Sequence, residues 1–529
     1  MTLVGGSITG GSVVGSVVGA ALGNTHITNA TNSASVTGNT DVGGIVGYSD
    51  DDIDNTKNGN ITTDAHFSNL INTGAVHSNG EQNTNVSNAG GLIGYMHNGT
   101  LDGNSYNLGN VSGNGYNVGG LVGHAVNSTI GNPSVVDGKP VENVQVVYNR
   151  MDVTGAYNVG GIVGNMEGST VQNAENSGTV TATGYTTEVY KYHTADNSYD
   201  IMAGKDDDDI AEVEVAVANV GGIVGTSSSS DNGSKSTIIN VENSGDISSS
   251  KNSNNEFYDA GNIGGIIGRA NNTDITSATN RENEIRGAHN IGGVAGYLGG
   301  NSTVSGGIND GGDIMATGAR AAANSSYNVA GGPGAGDNNY YGSNVNNNGF
   351  ALEHVRNGNT GRETFIIGNM GGIVGYMEGK DAKITGSANR GTVHTFDEFE
   401  GTVPDYAKAA NAGGVVGKID RVDTLALADL QGKDENNNDK ILKAAVSNSY
   451  NTGDVMGYSN VGGIAGMMYN GEVAGSYNLG YISTTRQPGK VGGEGYDALN
   501  MGGIVGDTTE GTEAEALLYD VYNLSLIHI

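Results

Sequence analysis

Carboxylates are the side chains best placed to do chemistry in this chain of 529 residues. Asp50-Asp51-Asp52-Ile53-Asp54 and Asp206-Asp207-Asp208-Asp209 are dense acidic runs. A third group, Asp434, Asn436, Asn438 and Asp439, spaces side-chain oxygens like the first half of a calcium loop. Such a loop also needs Gly at its sixth place and a bidentate Glu at its twelfth, where this chain has Asp439 and Ala445. The segment from Asp54 to Ala65 fails at its twelfth place in the same way. The acidic runs therefore read as solvated loops that keep a surface soluble, with structural calcium as the alternative and no other cofactor expected. Cys is absent, which removes thiolate catalysis, disulfides and Cys-bound metal. None of the ten His residues opens a His-Glu-x-x-His zinc signature.

Tyrosine is the other candidate, outnumbering Phe 25 to 6. Tyr106, Tyr148, Tyr450, Tyr477 and Tyr522 each stand directly before an Asn. A stripe of such rings can bind a glycan or a protein by stacking. The alternative is that the rings cap corners of the fold with their hydroxyls in water. A formal charge of −32 argues against a nucleic-acid partner held by phosphate contacts. No run of about 18 apolar residues is present, so no membrane span is expected. The segment Met1 to Gly23 is small and apolar, but the first basic residue is Lys57, so it does not read as a signal peptide.

These residues are positioned by an internal repeat. The string Gly-Gly-ψ-ψ-Gly, with ψ aliphatic or Ala, begins at Gly43, Gly90, Gly119, Gly160, Gly221, Gly264, Gly292, Gly371, Gly413, Gly462 and Gly502. Gly15-Ser16-Val17-Val18-Gly19 precedes them, and Ala330-Gly331-Gly332-Pro333-Gly334 is a degraded copy, which makes about thirteen units. Asn stands two residues before the pair at Asn88, Asn117, Asn158, Asn219, Asn262, Asn290, Asn369, Asn411, Asn460 and Asn500, with Asp41 as the exception. An isolated aliphatic residue follows each motif, as at Leu101, Ile130, Val171, Ile275, Val304, Ile384 and Val473. A second Asn comes after it at Asn32, Asn176, Asn243, Asn280, Asn309, Asn389 and Asn478, most often opening Asn-x-Gly-x-(Val/Ile).

Short apolar segments bounded by Gly and Asn suit strands and are too short for helices. Gly and Asn tolerate positive φ, so sharp turns are expected at them, and the glycine rows are expected to allow close coil stacking as well. One coil cannot bury its own apolar face, but stacked coils cover one another. Equivalent Asn residues then align in rows about 4.8 Å apart, where their amides can pair along the row. The expectation is an all-β, right-handed parallel β-helix of about 13 three-strand coils with loop insertions. It forms a single array over residues 1–523, with insertions near 49–65, 185–209, 335–364 and 420–439. The first ψ is expected in the core, while the direction of the second is left open by alternation. Pro333 removes a ladder donor, so a loosened coil or protruding loop is expected there.

The Asn-Val-Gly-Gly-Ile-Val-Gly strings resemble GLUG-motif repeats, found in large bacterial surface and secreted proteins, including non-catalytic regions of IgA-specific metallopeptidases. The resemblance covers nearly the whole chain. It implies an extracellular or cell-wall location and an adhesive or display role, with a host or neighbouring-cell glycan or protein as partner. A passive stalk of a larger surface enzyme, such as a metallopeptidase, is the alternative. A carbohydrate-active β-helix enzyme is the second alternative, and it requires carboxylates clustered across neighbouring coils. Asp246, Asp313 and Asp454 share one slot after Asn-x-Gly, Asp313 displaced by one, but in coils that are not adjacent. No catalytic residue is assigned. Leu524-Ser525-Leu526-Ile527-His528-Ile529 departs from the repeat where Gly is due and matches a translated sequencing adapter, so 524–529 reads as a non-native tail.

Overall fold

The computed structural model describes residues 1–50, 65–80, 87–136, 138–183, 186–193, 210–249, 261–287, 289–316, 319–320, 343–345, 351–357, 361–379, 381–395, 411–420, 445–457, 460–469, 471–484, 500–508 and 516–524. Every element among these residues is a strand. One coil shows the plan. Ala65–Asn72 lies in sheet A, Val76–Ser78 in sheet B, Asn88–Gly90 in sheet C and Ile93–His97 in sheet D. Each strand pairs in parallel with its equivalent in the next coil, as in Val76↔Val111, Asn88↔Asn117 and Ile93↔Val122. This is a right-handed parallel β-helix. Three strands per coil were expected; the Gly-Gly pair divides its motif between sheets C and D, so four sheets are built.

Contacts divide the chain into two compact units: residues 1–185, 218–250 and 263–284, and residues 186–217, 251–262 and 285–529. The first contains seven coils and the second five among the described residues. The expected thirteenth coil is not in the stack. Asn290 pairs directly with Asn369, and Ile291 with Met370, which leaves no place for a coil between them. The degraded copy itself lies outside the described residues. The intervening chain supplies Ala319–Arg320, Ser343–Val345, Ala351–Asn357 and Gly361–Ile367 to a four-stranded antiparallel sheet. Thr186–His193 and Ile210–Val217 likewise form an antiparallel hairpin, which continues beyond the expected end at 209.

The core is a set of aliphatic rows. Phe67, Leu101, Ile130 and Val171 follow one another in sheet A, and all are fully buried. In sheet D, Met96 lies between Ser49 and Ala125, so a large side chain sits between two small ones along the row. Both ψ residues are buried in every intact copy up to residue 465, as with Ile45 and Val46 or Leu92 and Ile93. The cause is a shared acceptor. The amides of Ile45 and Val46 both donate to Leu92 O, at 2.9 and 3.0 Å. Two successive N–H groups on one carbonyl bend the chain there, so neighbouring side chains both turn inward.

The motif glycines are needed for closeness and not for positive φ. None of the motif pairs adopts the left-handed region. A Cβ on Gly119 would lie 1.9 Å from Val122 O, and one on Gly120 would lie 2.0 Å from Gly161 O and 2.6 Å from Asn149 Cγ. Positive φ occurs at other corners, at Asn98 and Asn127 after sheet D and at Asn69, Asn173 and Asn240 within sheet A. Gly120→Ala should therefore lower stability by about 3 kcal/mol, since the clash is with backbone. Gly11→Ala is the control, because that position has open space around it. Thermal unfolding followed by circular dichroism should separate the two; equal melting temperatures would contradict the close-approach account.

Candidate functional site

Two rows of asparagine run through each unit. In sheet C of the first unit, Asn219 Nδ2 donates to Asn158 Oδ1 at 2.9 Å, Asn158 to Asn117 at 2.9 Å, and Asn117 to Asn88 at 2.8 Å. Asn88 Nδ2 then donates to Asp41 Oδ1 at 2.7 Å, so a carboxylate ends the series of donors. In the second unit, the series runs Asn500, Asn460, Asn411, Asn369, Asn290 and Asn262, with distances of 2.7 to 3.0 Å. The second row lies in sheet A and points the other way, from Asn72 to Asn107 at 2.8 Å and from Asn107 to Asn149 at 2.9 Å. Asn107 also closes on its own coil, donating to Gly109 O at 2.7 Å and accepting from Gly109 N–H at 3.2 Å.

A row of serines in sheet A was missed from sequence. Ser449 Oγ accepts from Ser387 N–H at 3.2 Å, and Ser476 Oγ accepts from Ser449 N–H at 3.2 Å. The signal was present as Ser-x-Asn at Ser387, Ser449 and Ser476.

The outer face of sheet D in the first unit gathers several titratable groups. Tyr48 and Tyr95 stack with centroids 5.0 Å apart, and His124 meets Tyr95 edge-on at 5.2 Å. Asp50 accepts from Tyr48 Oη at 2.7 Å and lies 2.9 Å from His97 Nδ1. Glu167 Oε1 lies 3.1 Å from His124 Nε2 and accepts from Asn165 at 3.1 Å. Burial and the neighbouring carboxylates push Tyr95 up to about 12 and Tyr48 higher still. The His124 hydrogen bond holds Glu167 below the usual carboxylate range. Sequence could not find this group, because its rows change residue type along the stack, from Tyr48 and Tyr95 to His124 and Asn165 and from Asp50 to His97.

The tyrosines of sheet A stack on one another. Tyr106 and Tyr148 lie 4.6 Å apart with planes 5° from parallel, and Tyr450 and Tyr477 lie 5.1 Å apart at 4°. Tyr522 pairs in register with Tyr477 and is exposed. Arg150 places its guanidinium 4.5 Å from the Tyr148 ring centre.

The carboxylates singled out from sequence serve backbone and histidine. Asp246 Oδ1 accepts from Glu284 N–H at 2.9 Å, and Asp454 Oδ1 accepts from Tyr481 N–H at 3.2 Å. Asp313 lies 2.8 Å from His394 Nε2. Asp434, Asn436, Asn438 and Asp439 lie outside the described residues, as do Asp51 to Asp54 and Asp206 to Asp209. Among the described residues, no three His, Asp or Glu side chains converge as a metal site. Comparison with family models, curated proteins and solved structures finds no match.

Asp41 is the one ladder position with a charge to lose. Burial raises its carboxyl to about 6, partly opposed by the Asn88 hydrogen bond and by His124. The folded chain then holds this proton more tightly than the unfolded chain, so stability falls as pH rises from about 4 to 6. Asp41→Asn keeps an acceptor for Asn88 and removes the charge. It should raise stability at pH 8 by up to about 3 kcal/mol and leave it nearly unchanged near pH 3.5. An equal gain at both pH values would contradict this assignment.

Proposed function

We propose that this chain is a GLUG-type repeat segment of a bacterial surface or secreted protein, acting in adhesion and display without catalysis of its own. The observation that supports this reading is where the coils accept extra chain. Within the first unit, connections lengthen between Ser78 and Asn88, from sheet B to sheet C, and between Asp50 and Ala65, from sheet D to sheet A. Within the second unit, the same two corners lengthen, at Ala316 to Asn369, Thr395 to Asn411 and Thr484 to Asn500, and at Asp420 to Val446. One further insertion falls inside sheet A, between Ile130 and Val147, and carries the antiparallel pair Val135–Val136 and Lys139–Pro140; the strands that bear the Asn rows and the glycine contacts keep their length. A scaffold that accepts extra chain at a few set positions presents variable segments on a constant frame.

The formal charge of −32 keeps such a surface soluble and disfavours nucleic acid. The polar side chains of the frame are mostly engaged with one another, which favours binding over turnover. A host or neighbouring-cell glycan or protein is the partner this reading requires, in an extracellular or wall-associated setting. Beads coated with the chain should adhere to host cells or immobilised glycans well above bare beads, in buffer without calcium as in buffer with it. Adhesion no greater than that of bare beads would overturn the reading in favour of a passive stalk.

A further inference from the structure

A shallow trough lies on the outer face of sheet A in the first unit. It is made by the left-handed corners Asn173, Asn240 and Ser277, with φ of 47°, 51° and 54°. Each such residue lets two buried side chains three positions apart face the core, as with Val171 and Ala174 or Ile275 and Ala278. The strand bends at each corner, and the bends of successive coils align into one concavity. Two adjoining cavities of about 110 and 40 Å³ open there and share Glu175 and Glu242.

The trough has an ordered set of side chains. Tyr148, Glu175, Glu242 and Thr279 follow one another in register along one row. That row spans roughly 14 Å over four coils at about 4.8 Å per coil. Tyr148 forms one end, with Tyr106 stacked on it and Arg150 over its ring. Arg281 grips Glu242 with two hydrogen bonds of 3.1 Å. Glu175 is exposed, stands next to Glu242 in register and has no side-chain hydrogen bond or ion pair among the described residues. Two like charges placed directly opposite are unfavourable unless something bridges them.

We propose that this trough binds a short, neutral oligosaccharide, the Glu175 carboxylate accepting from its hydroxyls and Arg150 donating to them. The proposal rests on the adhesion reading and gives it a site and a ligand class. Two arginines and two glutamates balance in charge, so the trough selects against polyanions and polycations alike. Hydroxyl groups both donate and accept, which suits a surface that offers carboxylate and guanidinium side by side.

The test is a glycan array of neutral, acidic and amino-sugar oligosaccharides, probed with the full chain, Glu175→Gln and Arg150→Ala. Both substitutions are at exposed positions, and unchanged melting would certify the fold. Neutral oligosaccharides should bind the parent chain, each variant should lose at least about tenfold in affinity, and added salt should have little effect. Parent binding retained within about twofold by both variants would overturn the trough and leave adhesion standing. Binding only to charged glycans, with steep salt dependence, would overturn the ligand class. A parent chain that adheres to cells but binds no saccharide would overturn the trough and point to a protein partner. A parent chain that neither binds glycans nor adheres would overturn both readings.

Discussion

Every ordinary coil buries two asparagine side chains, and a buried amide is tolerated only when its donors and acceptor are matched. In this chain, the match comes from the neighbouring coil. An Asn at a ladder position completes the one before it and is completed by the one after, so the rows hold consecutive coils at a single spacing. Asn107 shows the full pattern, with its amide bonded to Asn149, to Asn72 and twice to Gly109. The glycines follow from the same constraint. The second glycine of each pair packs onto an Asn amide of sheet A, as Gly120 does on Asn149. A side chain there would displace the ladder.

The two rows also carry direction. In the first unit, the sheet C donors all point toward Asp41, whereas the sheet A donors point toward higher residue numbers. Aligned amide dipoles favour an acceptor without a proton at the end they point to, which suits a carboxylate at Asp41. Burial opposes its charge, and burial is the larger effect on its carboxyl. The frame thus matches its buried amide rows within the stack, beside an aliphatic core. Its outer face retains the groups that can meet a partner, such as Glu175 and Arg150.

Much of the frame was legible in the sequence because a repeating contact leaves a repeating residue. The Asn positions, the Gly-Gly pairs and the single aliphatic residues recur in step with the coil. The glycines were read as serving both turns and close coil stacking, and which of the two each one serves was not legible. Positive φ and close approach both demand Gly, and only the geometry distinguishes Gly120, where space is lacking, from Gly103, where φ is +66°. The inward turn of both ψ residues depends on one carbonyl serving two amides, a relation between coils that no single copy reveals. About thirteen units were counted and twelve coils stack among the described residues, since a degraded motif in sequence need not occupy a place in the stack. The sheet D group and the trough were invisible because their rows mix Tyr, His, Asn, Glu and Thr from coil to coil.

The central claim is that the coils are held together by completed amide rows. Asn107→Ala, in the middle of one row, tests it most directly through equilibrium unfolding by denaturant. The substitution removes four hydrogen bonds from a buried site, and at about 1 kcal/mol each the account predicts a loss of about 4 kcal/mol. A loss below about 1 kcal/mol would mean that apolar stacking alone holds the coils, and would contradict it.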